Sequence, residues 1–357
     1  MSSPPPPDTS SVRQGEEIDA TKLSAFLNAQ PGLDCGDVAV LQFSAGSSNL
    51  TYLIRVGGVE FVLRRPPFGN TVKTAHDMER EFRVLCRLSK VYPPAPKPIL
   101  FCDDVTVIGS EFYLMERRRG LIIRGRAPQE LIDSPELQRP ICESFIQNLV
   151  DLHSLDYKRA GLADLGKPEG YCGRQVQGWT KRYVAAKTDE LPEIDRVISW
   201  LNDNIPSASN AALVHNDYKF DNIMLDPDDF TKITAVLDWE MVTIGDPLMD
   251  LGTTLGYWMS ADAGDAMLNM PFNPRVLMEN ISRKDLVEMY AASSRHEIPN
   301  MLFYYVFGTV KIAVIAQQIY ARFVKGLTKD PRFKQLDVFV SKLVSIAHNA
   351  IDRASLE

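Results

Sequence analysis

Three oxygen-bearing side chains lie close together between Val214 and Trp239. Asp217 is followed five residues later by Asn222, and Asp238 closes an apolar run sixteen residues after that. Transfer of a phosphoryl group needs such a set: an acceptor oxygen in line with the phosphate, and cations over the phosphate oxygens. Asp217 is the carboxylate that accepts or orients the acceptor's proton. Asn222 and Asp238 offer the hard oxygens that Mg²⁺ takes, one or two from protein and the rest from phosphate and water. Lys219, two residues past Asp217, supplies a point charge for the moving phosphoryl group. A lone Asp-rich loop reads as a solvated turn. The joint pattern of Asp, Lys, Asn, hairpin and Leu-Asp-Trp reads as a phosphotransferase site.

The elements between these residues give their geometry. Ile223-Met224-Leu225 is a short strand, and Asp226-Pro227-Asp228-Asp229 has turn composition. Residues 233–237 are β-branched and apolar and form the returning strand. The hairpin therefore brings Asn222 and Asp238 together at its open end.

The wider chain reads as two lobes. Residues 1–16 are Ser/Pro-rich and are expected to be a disordered tail. An N-terminal nucleotide-binding lobe spans 17–116, and a catalytic and substrate lobe spans 117–357. A first helix covers 19–28, and three strands follow over 38–65, with Gly57-Gly58 as a hairpin signal. Residues 76–88 carry helical periodicity, and 105–115 read as two further strands. This gives a five-stranded lobe with one helix. After Glu116 the pattern turns helical over 135–153, 175–187 and 194–204, and four or more helices follow residue 247. The apolar run 301–323 is interrupted by Lys311, Gln317, Gln318 and Arg322. It reads as a buried helix rather than a membrane span.

Between the first two strands lies Ser44-Ala45-Gly46-Ser47-Ser48-Asn49. Its small residues let backbone N–H groups approach phosphate. Ser44, Gly46 and Ser47 are the nucleotide candidates there, against the alternative of a plain hairpin loop.

Bulk composition excludes other classes. The chain has 357 residues, 45% hydrophobic and 24% charged, with a net charge of −7. This fits a globular protein and gives no support to nucleic-acid binding, which usually shows a basic face. Five scattered cysteines without metal-ligand spacing point to a reducing, cytoplasmic setting. No secretory signal is read at the start.

The motifs carry a resemblance. His215-Asn216-Asp217-Tyr218-Lys219 to Asn222 resembles the H-R-D-x-K-x-x-N loop of protein kinases. It is closer to the H-G-D-x-x-x-x-N loop of the aminoglycoside phosphotransferase and choline kinase-like family, with Asn216 in place of Gly. Leu237-Asp238-Trp239-Glu240 and Gly245-Asp246-Pro247-Leu248-Met249-Asp250-Leu251-Gly252 resemble that family's metal-binding and following segments. The likeness runs from about residue 38 to 325. It is strongest to the branch that includes kinase-like domains fused to some acyl-CoA dehydrogenases.

The resemblance implies an α+β, two-lobed protein-kinase-like fold, with a small antiparallel β lobe and a larger, mostly helical lobe. It implies ATP and Mg²⁺ as cofactors and a small-molecule hydroxyl as acceptor. Arg64, chosen over Arg65 by strand alternation, falls where kinases place a Lys on the α/β-phosphates, and Glu81 is its helix partner. An Arg fork is not equivalent to a Lys there. Backbone groups of Glu116 and Arg117 fall at the adenine hinge. Asp250 would bond the catalytic-loop backbone, and His215 would anchor it. His153 is read as a core histidine, and Asp246 as an N-cap.

Two alternatives to an acyl-linked or anionic acceptor stand beside this reading. One is an aminoglycoside-type kinase, and the other a non-catalytic nucleotide-binding module. A protein kinase is disfavoured, because no substrate-platform segment follows Asp238. Arg117, Arg118, Arg119, Arg124 and Arg126 suggest a clamp for an anionic substrate, against the alternative of a solvated face. No nucleic-acid or membrane partner is expected, and the oligomeric state is left open.

Overall fold

The computed structural model describes residues 8–33, 36, 38–43, 49–68, 77–125, 127–207, 210–260, 263–294, 298, 300–328 and 330–357. Contacts divide the chain into two units, Met1–Arg119 and Gly120–Glu357. The division falls just after the boundary expected at residue 116.

The first unit runs β1 (Thr9–Ser10), α1 (Ala20–Asn28), β2 (Val38–Phe43), β3 (Leu50–Val56), β4 (Val59–Arg65), α2 (Met78–Leu88), β5 (Pro98–Cys102), α3 (Val105–Ile108) and β6 (Phe112–Glu116). Its strands form one antiparallel sheet in the order β1-β2-β3-β4-β6-β5. The β3–β4 turn is Gly57-Gly58, with φ of +51° and +88°. Two positive φ values suit a mirror-image hairpin turn, which glycine enters without strain.

Strand alternation sorts β4 between two faces. Phe61 and Leu63 enter an apolar cluster with Leu23 and Leu27 of α1 and Val107 and Ile108 of α3. Arg64 points the other way and meets Glu81 of α2 at 2.6 Å. Arg65 returns to the first face, where it donates to the Ile108 carbonyl at 2.8 Å and lies over the Phe68 ring.

Three expectations for this unit change. Among the described residues the sheet has six strands, because Thr9 and Ser10 pair with Phe43 and Gln42. The Arg13 N–H also donates to the Gln42 side chain at 2.8 Å. Residues 8–16 are thus ordered against an edge strand whose polar groups need partners. Composition, the basis for reading 1–16 as a disordered tail, does not register that demand. Residues 1–7 lie outside the described residues.

The stretch read as two strands over 105–115 is a one-turn helix followed by a strand, which pairs with the preceding Pro98–Cys102 on one side and with β4 on the other. Val-Thr-Val-Ile favours strand by type. Asp104 caps the Thr106 N–H, and Gly109 closes the turn at φ +86°. End signals outweigh β-branched propensity here.

The second unit runs α4 (Gln129–Asp133), α5 (Gln138–His153), α6 (Tyr171–Ala186), α7 (Pro192–Asp203), β7 (Ala212–Val214), β8 (Ile223–Asp226), β9 (Asp229–Val236), β10 (Thr243–Gly245), α8 (Pro247–Tyr257), α9 (Asp265–Leu268), α10 (Arg275–Met278), α11 (Arg283–Ser293), α12 (Leu302–Val324) and α13 (Leu336–Arg353). β8 and β9 form the expected hairpin. Its turn is tighter than expected, with Asp226 opposite Asp229, so the returning strand starts at 229. β7 and β10 pair separately.

The apolar run expected to be a buried helix is α12. It packs against α8, α13 and α6. It is long and apolar enough to cross a membrane by length and composition, and most of it is buried inside the unit.

α8 and α12 cross with their backbones nearly touching. A Cβ at Gly308 would overlap the Gly252 carbonyl, and one at Gly252 would overlap the Tyr304 carbonyl. Gly308→Ala should therefore destabilise the chain at or above the ~1–3 kcal/mol typical of overpacking. In Gly173→Ala on α6, the nearest atom would be 3.7 Å away. That change should be neutral, or stabilising by up to about 1 kcal/mol through helix propensity. Urea unfolding of the two variants checks this, and equal stability would refute the close crossing.

Candidate active site

The candidate loop leaves β7 at Val214 and ends at Asn222. Its shape is set by one buried carboxylate. Asp250, fully buried in α8, accepts from the His215 N–H at 2.6 Å and the Asn216 N–H at 2.7 Å. His153 meets the same carboxylate at 3.2 Å and the Tyr290 hydroxyl at 2.8 Å. Burial works against the Asp250 charge. The hydrogen bond from His153 and the surrounding cations outweigh it and hold the carboxyl below its usual range. Asp246, the helix N-cap, accepts from the Leu248 N–H at 2.9 Å, and burial pushes its carboxyl upward.

His215 links the loop to the hairpin. Its Nε2 lies 2.9 Å from the Leu237 carbonyl, and its Nδ1 accepts from the Asp217 N–H at 3.2 Å. Those roles assign the neutral ring with its proton on Nε2. Asn216 sits at φ +67°, a left-handed conformation that Asn tolerates better than most residues. This accounts for the Gly usual at that point of the motif. Its side chain donates to the Met241 carbonyl at 3.0 Å and accepts from the Tyr171 hydroxyl at 3.1 Å.

Asp217 is surrounded by donors. Oδ1 accepts from the Tyr257 hydroxyl at 2.8 Å. Oδ2 accepts from Asn222 Nδ2 and from Lys219 Nζ, both at 2.9 Å. Burial opposes its charge, but the Lys219 ammonium outweighs that and keeps the carboxyl below its usual range. Lys219 is likewise held above the ordinary lysine range: burial opposes its charge, and Asp217 more than compensates. Its ammonium lies 4.6 Å from the Tyr257 ring centre. The two side chains keep 15% and 18% exposure, so the pair remains open to a ligand. Lys219, expected to meet a phosphoryl group, is spent on Asp217 in this arrangement.

Asn222 and Asp238 flank the open end of the hairpin. The Leu237 N–H donates to the Asn222 carbonyl at 2.8 Å, which joins the two backbones. Asn222 Nδ2 also donates to the Asp217 carbonyl at 2.9 Å. With the amide nitrogen engaged, Oδ1 is the atom Asn222 can offer a metal. Asp238 adds a carboxylate from a left-handed backbone position, φ +67°. One amide oxygen and one carboxylate fit the donor set that Mg²⁺ takes from protein.

In the first unit, Arg64 and Glu81 form a buried ion pair, 7% and 1% exposed. Glu81 is no surface charge. Ser44, Gly46 and Ser47 lie outside the described residues. Glu116 ends β6 opposite Phe61, and its carboxylate accepts from the Lys97 N–H and from Arg118. Arg117 binds Glu60 and Asp8, each at 2.9 Å. The hinge reading of both residues rests on backbone groups alone.

Of the arginines read either as an anionic clamp or as a solvated face, those among the described residues are engaged by carboxylates. Arg117 and Arg119 share Glu60, Arg118 takes Glu116, and Arg124 takes Asp221. Arg126 lies outside the described residues. Local carboxylates offset these charges where they stand, so the cluster is no longer an argument for an anionic substrate.

Two residues at the site escaped the sequence reading. Tyr257 lies seven residues, two helical turns, past Asp250 and so on the same face of α8. Lys311 is a cation near the middle of an apolar helix; its ammonium reaches the Asn216 carbonyl. Both signals were legible as helical spacing and as a misplaced charge, but neither named its target.

A small antiparallel sheet unit, a helical unit, and an Asp–Asn–hairpin–Asp loop define a kinase-like phosphotransferase. The chain belongs to the phosphotransferase enzyme family, whose family model matches residues 39–271. It is 35% identical over 328 residues to acyl-CoA dehydrogenase family member 11 of Gallus gallus, covering 90% of this chain and 42% of the relative. To acyl-CoA dehydrogenase family member 10 of Mus musculus it is 31% identical, covering 96% and 32%. The chain thus spans less than half the length of these curated relatives. Among solved structures, it resembles a provisionally named aminoglycoside phosphotransferase from Ralstonia eutropha JMP134, with TM-score 0.78 and 28% identity over 94% of this chain and 99% of that one. A choline kinase from Cryptosporidium parvum Iowa II shares the fold at TM-score 0.65 and 13% identity, over 94% and 97%.

Proposed function

We propose that this chain transfers the γ-phosphate of ATP, with Mg²⁺, to a hydroxyl of a small molecule. The observation that carries this is the Asp217 carboxylate, held charged and accessible one hydrogen bond from Asn222. The acceptor O–H donates to Asp217 and its oxygen attacks the γ-phosphorus. The new O–P bond forms as the bond to the β,γ-bridging oxygen breaks, and ADP leaves with that electron pair. Asp217 takes the acceptor's proton. Lys219 keeps Asp217 charged until then, and Asn222 Nδ2 fixes its orientation. Asn222 Oδ1 and Asp238 would hold Mg²⁺, which when bound neutralises phosphate charge. Arg64, oriented by Glu81, would serve the α/β-phosphates. Backbone groups of Glu116 and Arg117 would meet adenine, and residues 44–47 would cover the phosphates.

For the acceptor, we favour an acyl-linked hydroxyl compound. The support is the name of relatives at 31–36% identity, acyl-CoA dehydrogenase family members 10 and 11. An aminoglycoside is the second reading, favoured by the Ralstonia eutropha structure. Cysteines 86, 102, 142 and 172 are unpaired thiols, which supports a cytoplasmic setting.

Release of ADP across a panel of hydroxyacyl-CoA esters, free hydroxy acids and aminoglycosides tests the acceptor. ATP should bind appreciably only with Mg²⁺, because Arg64 and Lys219 are both neutralised by carboxylates. Calorimetry in excess chelator checks this; equal affinity without the metal would remove the metal role of Asn222 and Asp238.

A further inference from the structure

Lys311 is 2% exposed, near the middle of α12. Its ammonium donates to the Asn216 carbonyl and lies 3.5 Å from Asn216 Oδ1. The N–H of the same residue donates to Asp250 at 2.7 Å. One peptide segment is therefore gripped on its N–H side by a buried anion and on its C=O side by a buried cation. The two charges come from α8 and α12, the helices whose glycines meet backbone to backbone. Asn216 occupies a strained left-handed conformation, φ +67°, which persists only where its surroundings enforce it. The next residue is Asp217.

We propose that Lys311 is a positioning residue for phosphoryl transfer, holding the Asn216 carbonyl so that Asp217 faces the acceptor. This rests on the phosphotransferase reading of Asp217 and adds a residue that no part of that reading uses. Lys311 also offsets the negative charge of Asp250 beneath the loop. A neutral amine could still donate one hydrogen bond but would lose that compensation.

The charged groups facing Lys311 are Asp250 from α8, Asp217 and Lys219 from the loop, and Arg182 from α6. α6 also presents the Trp179 ring to the ammonium and the Tyr171 hydroxyl to Asn216 Oδ1. Burial brings Lys311 down to about 8; Asp250 and Asp217 oppose this, and Lys219 and Arg182 add to it. The sign for stability is opposite to that for activity. A lysine depressed in the fold binds fewer protons there than in the unfolded chain between about 8 and the ordinary lysine value of 10.5. Its own contribution to stability therefore rises with pH across that window. Loss of turnover just above pH 8 would then not be caused by unfolding at this group.

The test uses the full chain, Lys311→Met and Lys311→Arg. Mg·ATP hydrolysis by water and Mg·ATP affinity are followed across pH, with hydrogen exchange of a peptide spanning 214–219. Wild-type turnover should fall as pH rises through about 8, with Mg·ATP affinity unchanged. Lys311→Met should lose about 10²-fold in turnover, the cost of a misplacement near 1 Å, and exchange faster in 214–219 than wild type. Lys311→Arg keeps its charge and should lose the alkaline fall. If the Met variant does not fold, the wild-type and Arg comparison of turnover and exchange across pH decides. A flat wild-type profile, or unchanged exchange in a folded Met variant, overturns the proposal. If wild type neither binds nor hydrolyses Mg·ATP, the phosphotransferase reading fails, and the exchange comparison still decides whether Lys311 holds the loop.

Discussion

Asp217→Asn should bind Mg·ATP almost as wild type does and turn over about 10²–10⁴-fold more slowly, the range for a positioned general base. Asn is nearly the same size, so the loop keeps its course. It cannot take a proton, and it removes the negative charge that Lys219 faces at 2.9 Å. Asp238→Asn is the contrasting variant. It flanks the open end of the hairpin beside Asn222 and should weaken Mg·ATP binding, while turnover per bound nucleotide falls less. Calorimetry paired with single-turnover transfer to the acceptor found in the ADP-release panel separates the two roles. If both variants lose nucleotide affinity equally and keep their turnover per bound ATP, the division of labour along this segment is wrong.

Asp250→Ala should be the most damaging change to the fold among the loop's supports. It strips the acceptor from the His215 and Asn216 N–H groups and from His153, all buried. Lys311 loses its compensating anion as well. Removing one partner of a buried charge pair costs about 3–5 kcal/mol, and the orphaned donors add to that. Asp250→Asn retains one acceptor oxygen and should cost less. Urea unfolding ranks the three proteins. A loss in the Ala variant no larger than that of an exposed charge, about 0–1 kcal/mol, would mean the carboxylate does not hold the loop.

The reacting groups were visible in the linear chain because they sit on a local scaffold. A nine-residue loop and a two-stranded hairpin carry Asp217, Asn222 and Asp238, so residue type and spacing suffice to name them, although Asp250 and Lys311 from distant helices hold the loop's shape. Strand alternation likewise separated Arg64 from Arg65, since a period of two leaves only two faces. The helix N-caps at Asp19, Asp104 and Asp246 are also local, but only Asp246 is read as a cap from the sequence; Asp19 falls inside the helix expected over 19–28, and Val-Thr-Val-Ile outweighs Asp104.

The sequence by itself determined the loop, the hairpin, the sheet strands of the first unit from β2 to β4, and the family. Tertiary structure alone decided what each charge faces. Glu60 lies next to Arg55, Arg117 and Arg119 only because β3, β4 and the end of β6 are brought together. That neighbourhood turned an apparent basic cluster into neutralised pairs. Tyr257 and Lys311 reach the catalytic loop across 40 and 95 residues of chain. The α8–α12 crossing depends on glycines 56 residues apart, Gly252 and Gly308. Residue type fixes what a side chain can donate or accept, and helical or strand period fixes which face it takes. Its partner is chosen by long-range packing, which no local period encodes.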